Sequence, residues 1–126
     1  MEKANQIIYG LFGAIAILLG VAVLLFPNVL TSESERTVPI IHILREEGAA
    51  GVFIGLMALW CIFNYERRAA VHYFLIVYTF LMAAIHWFDY LTGHRPLMSP
   101  LLNTVPFIVF VLMALSSRSQ SAVREG

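Results

Sequence analysis

Histidine and carboxylate side chains are the residues whose types and spacing could do chemistry in this chain. His42 and Glu46 are four positions apart and His86 and Asp89 three, so each pair shares a face if its segment is helical. Imidazole nitrogens and carboxylate oxygens on facing turns suit zinc, iron, copper or manganese. The same groups can also handle protons or a small polar ligand, because a histidine exchanges a proton readily near neutral pH. His94 and Arg95 follow shortly after Asp89 and belong to the adjoining turn. A plainer reading is structural: Arg45 or Arg95 pairs with Glu46, Glu47 or Asp89, and the histidines act as interfacial hydrogen-bonders.

Nothing more specific decides among these. There is no HExxH, no pair of ExxH motifs and no glycine-rich phosphate loop. No catalytic residue is assigned, and an enzyme is the less favoured expectation. No cofactor is required: zinc or a transition metal fits His42, Glu46, His86 and Asp89, and haem does not fit well. His72 and His86 stand 14 residues apart, about 21 Å along a helix, too far for both to ligate one haem. Cys61, the single cysteine, excludes an intrachain disulfide and lies in an apolar stretch where a thiol is usually inert.

The elements that must position these residues follow from hydropathy. Of 126 residues, 60% are hydrophobic and 13% charged, whereas soluble domains run at about 45–50% and about 25%. Both departures point to lipid as the main solvent. Formal net charge is zero, and no basic run interleaved with aromatics offers a nucleic-acid surface. Four apolar segments stand out, at about 7–26, 48–63, 69–91 and 100–115, with Ile40–Leu44 as an extension ahead of the second. The first carries no charge over 20 residues, the length needed to cross a ~30 Å hydrocarbon core. It lacks a basic leader and a clear cleavage site, which predicts a retained span.

The connections predict a single all-α membrane domain over 1–126, a four-helix transmembrane bundle with up-down topology. The outer loop at 27–39 has room for local structure, NYERR and TGHRP are short, and a polar tail occupies 116–126. Ser99 and Pro100 read as the N-cap and first residue of the fourth helix. Lys3, Arg67, Arg68, Arg118 and Arg124 collect on one side, against Arg36, Arg45 and Arg95 on the other. That bias places both termini in the cytoplasm and the protein in the inner membrane as a multi-pass chain. The outer loop, the start of helix 2 and the end of helix 3 then face outward. His42, Glu46, His86 and Asp89 could converge there. Glu46 and Glu47, in the first turn of the second span, would suit the positive end of that helix.

Small residues mark packing faces. Gly13 and Gly20 lie a heptad apart on helix 1; helix 2 carries Gly48 and the GxxxG pair Gly51 and Gly55. Close backbone approach at such positions supplies much of the association energy in lipid. Packing of helices 1 and 2 on each other is one use; a dimer seam or partner face is another. Pro106 removes a backbone bond inside helix 4 and frees the Leu102 carbonyl, with Asn103 and Thr104 in the same turn to re-satisfy the backbone.

REEGAAGVFIGL, the basic turn ERRAA and AAIHWFD together resemble small bacterial four-helix membrane proteins, including the loosely DoxX-like group. The similarity spans roughly residues 45–115. It implies a four-helix fold in a bacterial inner membrane and carries no catalytic residue across. The expected function is an accessory or interaction subunit of a membrane complex, with the bilayer, a second copy or a larger complex as partners and no nucleic acid. The alternative is a membrane-embedded metal- or ligand-binding protein, an oxidoreductase among the options, using the outer His/carboxylate cluster.

Overall fold

The computed structural model describes residues 2–29, 32–33 and 36–124, without the side chains of 117–124. Part of the expected outer loop (30–31 and 34–35) and the last two residues of the polar tail lie outside the described residues. The chain is all-α, with no strand among the described residues. Its helices are α1 (Glu2–Leu25), α2 (Val38–Phe63), α3 (Ala69–Leu91) and α4 (Met98–Arg124). All four contain a stretch long and apolar enough to cross a membrane; in α4 that stretch is Met98–Ser116. A multi-pass membrane protein follows from these four helices. They form two compact units, a hairpin of α1 with α2 and a hairpin of α3 with α4.

Two helix boundaries differ from the hydropathy pattern. α2 begins at Val38, with Thr37 extended ahead of it and Pro39 in its first turn. Proline costs little there, because the N–H it lacks would have no partner in the helix. Glu46 and Glu47 are therefore more than two turns inside α2, and its first turn holds no acidic residue. The helix-end account of these carboxylates fails for that reason, since the field of the macrodipole fades within one turn. At the other end of the chain, helical backbone continues past the apolar stretch through the polar segment to Arg124.

In the first hairpin the two helices run antiparallel, Gly13 opposite Gly55 and Gly20 opposite Gly48. A Cβ on Gly55 would lie 2.7 Å from the Gly13 carbonyl oxygen, and one on Gly20 2.7 Å from that of Gly48. Gly51 is looser, its Cβ position 3.3 Å from Gly20 Cα. The two backbones thus touch with no side chain between them. Lipid offers little hydrophobic drive for helix association, so this contact area and its dispersion energy hold the pair. Nearer the open end, Tyr9 and Cys61 are both fully buried.

The second hairpin is built differently. Leu75, Thr79 and Ala83 share the buried face of α3 with His72, while Phe110 and Met113 are buried on α4. The turn between the helices is a Schellman motif: the His94 N–H donates to the Asp89 carbonyl at 2.8 Å and the Gly93 N–H to that of Tyr90 at 3.0 Å. Gly93 supplies the left-handed residue this motif needs, at φ +79°. Outward from both hairpins the surface is apolar. Leu18, Leu25, Phe74, Phe88 and Leu102 are each more than 60% exposed, a surface matched to hydrocarbon.

Candidate functional site

His42 and Glu46 meet on α2, the imidazole Nε2 3.2 Å from Glu46 Oε1. A spacing of four residues stacks one side chain over the other on the helix surface. Both are largely exposed, at 72% and 67%. Within this hairpin Glu46 thus takes His42 as its partner.

On the second hairpin, His86 is half-buried and its Nδ1 lies 2.9 Å from Ser99 Oγ on α4. Ser99 is therefore no N-cap. The helix already starts at Met98, the Ser99 N–H bonds Pro96, and the hydroxyl reaches across to the histidine. Asp89 sits three residues on; its backbone carbonyl receives both the His94 N–H and, at 3.2 Å, the Thr92 hydroxyl. His94 is exposed in the turn with Nδ1 2.8 Å from Thr92 Oγ1, and Arg95 is exposed beside it. Each hairpin so contributes two of the four residues expected to converge. Within either one, among the described residues, no three His, Cys, Asp or Glu side chains gather closely enough for a metal ion.

Two further side-chain bonds join the helices of the second hairpin, one buried and one half-buried. The His72 Nε2–H donates to the Phe110 carbonyl at 3.0 Å. A carbonyl only accepts, so the proton on this ring is at Nε2. Trp87 Nε1–H donates to Thr104 Oγ1 at 3.0 Å, and the Thr104 hydroxyl in turn donates to the Pro100 carbonyl at 2.7 Å. Thr79 shares the heptad face of His72 and His86 but bonds back to the Leu75 carbonyl of its own helix. Around Pro106, Asn103 and Thr104 bond the Ser99 and Pro100 carbonyls rather than that of Leu102. A side chain on a helix reaches the carbonyl four residues back, and Leu102 is too close in sequence.

In the first hairpin, buried Asn5 donates through Nδ2 to the Tyr65 hydroxyl at 3.0 Å, tying the start of α1 to the turn after α2. Sequence spacing singles out none of Trp87, Asn5 or Tyr65 as bonding partners, and Thr104 only for the backbone around Pro106. The available signals were polar side chains at apolar segment ends: Asn5 two residues before Ile7, and Thr104 four residues after Pro100. No buried side-chain nitrogen or oxygen among the described residues lacks a partner. Compared with protein-family models, curated proteins and solved structures, the chain matches none.

Proposed function

We propose that this membrane protein acts through its fold, as an accessory or interaction subunit of a complex in the inner membrane, with both termini in the cytoplasm. One observation carries the reading. The polar groups inside the second hairpin bond to one another or to backbone, while the outward surface of the helices is apolar. Side chains committed to holding helices together leave little free chemistry in the membrane interior, where ionisable groups are expensive. The orientation rests on the five-to-three division of basic residues between the two sides. Extraction from the native membrane in mild detergent tests the assignment. A second protein should accompany the chain at fixed stoichiometry; a cofactor-free monomer would contradict it.

A second reading rests on the His42–Glu46 contact, a nitrogen and an oxygen 3.2 Å apart and exposed. In it the outer His/carboxylate cluster, with His86, Asp89, His94 and Arg95, binds a metal or small polar ligand, and an oxidoreductase becomes one outcome. Elemental analysis and an optical spectrum of the pure protein test it. Metal or chromophore lost in His86→Ala would support the cluster; a metal-free, colourless protein with ligand binding unchanged in that variant would remove it.

A further inference from the structure

The open end of the first hairpin holds a groove of about 370 Å³, inside the range of roughly 300–1,000 Å³ usual for small-molecule sites. Glu2 and Gln6 line it from α1, and Asn64, Glu66 and Arg67 from the turn after α2. Tyr65, anchored by Asn5, also borders it. Every lining residue belongs to this one hairpin.

Its depth in the membrane follows from the apolar stretches. That of α1 begins at Ile7 and that of α2 ends at Phe63, and antiparallel packing brings these two limits to the same end. The charged and amide groups just beyond them stand at the level of lipid headgroups. Ile62 and the 84% exposed Phe63 line the groove on its hydrocarbon side.

The charges select among headgroups. Two carboxylates, one guanidinium and two amides line the groove; Gln6 donates one N–H to Glu2 at 3.4 Å and Asn64 one to the Trp60 carbonyl at 3.2 Å, which leaves each amide a second N–H. An anionic headgroup meets a lining that is net negative. A zwitterion with its own ammonium satisfies both signs: Arg67, Gln6 and Asn64 can donate to phosphate oxygens, while Glu2 and Glu66 accept from an ammonium. A quaternary ammonium has no N–H to give them. We propose that this groove binds the phosphoethanolamine headgroup of an aminophospholipid, with the acyl chains leaving over Ile62 and Phe63. The proposal stands whether or not the chain is a subunit of a larger complex.

The test is lipid binding to the full-length protein in detergent, read by native mass spectrometry with dioleoyl phosphatidylethanolamine, phosphatidylcholine or phosphatidylglycerol added singly. Phosphatidylethanolamine should bind about fivefold tighter than either of the others, the effect of roughly one interfacial charge contact. Glu2→Gln with Glu66→Gln should bring it level with phosphatidylcholine. Arg67→Gln should weaken it, and Arg67→Lys should restore most of the loss. All three positions are exposed, so these variants leave the packed seam untouched. Equal binding of the three lipids, a preference for phosphatidylglycerol, or a preference that survives the double variant would overturn the proposal. Free phosphoethanolamine binding as tightly as the lipid would overturn the assignment to a membrane lipid.

Discussion

Gly20 and Gly48 meet across α1 and α2 so closely that a methyl group on either would stand 2.7 Å from the other's carbonyl oxygen. A methyl on Gly48 would also lie 2.6 Å from the Leu24 backbone nitrogen. The obstacle in each case is backbone, which cannot swing aside as a side chain does.

Gly20→Ala and Gly48→Ala should each destabilise the first hairpin by about 1–3 kcal/mol, the usual penalty for overpacking. Gly10→Ala is the matched control, because its Cβ would meet only the tip of Ile62 at 3.5 Å. Denaturant-induced unfolding in mixed micelles measures the difference. Equal stability of all three variants would show that the backbones are not in contact.

His72 should cost less than a core residue of its size when replaced by phenylalanine. That change keeps a ring of similar shape and removes the bond to the Phe110 carbonyl. Interhelical hydrogen bonds in membranes contribute about 0.6 kcal/mol on average and up to about 1.7. Nitrogen NMR of labelled histidine supplies a second check, with the proton expected at Nε2; an Nδ1–H tautomer would contradict the bond.

Trp87 and Thr104 should couple. Trp87→Phe and Thr104→Val each break the bond between their side chains, and Thr104→Val also removes the one to Pro100. A double-mutant cycle should return an interaction energy of about 0.5–1.5 kcal/mol. A value of zero would mean that the indole and hydroxyl do not meet.

Gly93 is the one described residue held at positive φ, at +79°. Gly93→Ala should destabilise the α3–α4 turn by roughly 1–2 kcal/mol, the cost of left-handed backbone for a residue with a Cβ. Nothing lies within 4 Å of where that Cβ would stand, so the effect is conformational rather than steric crowding by neighbours. Gly93→Asn should lose less. Thermal unfolding of the two variants gives the comparison.

Four apolar runs separated by polar or glycine- and proline-bearing turns were enough to read the all-α fold, because length and hydropathy alone decide what can cross a membrane. Helix ends were harder. α2 starts ten residues ahead of Gly48, at Val38, because backbone hydrogen bonding does not stop where hydrophobicity does. The glycines are visible as spacings, but their register is not: only the folded hairpin sets Gly20 against Gly48 and Gly51, and Gly13 against Gly55. For the polar residues, the seven-residue spacing of His72 and Thr79 puts them on one face but does not name their partners. His72 crosses to α4 and Thr79 turns back on α3, a choice made by side-chain length, which spacing does not encode. Ser99 shows the same limit, as a plausible helix cap whose hydroxyl bonds a histidine on the neighbouring helix.

The central claim is that this chain works as a structural partner in the membrane. It is tested most directly by the native mass of the particle that contains it, extracted with its surrounding lipid from the cells that make it. The account predicts a particle in which the chain is joined to a second protein at fixed ratio, free of metal and chromophore. A lone chain carrying only lipid, or one carrying a bound metal lost in His86→Ala, would contradict it.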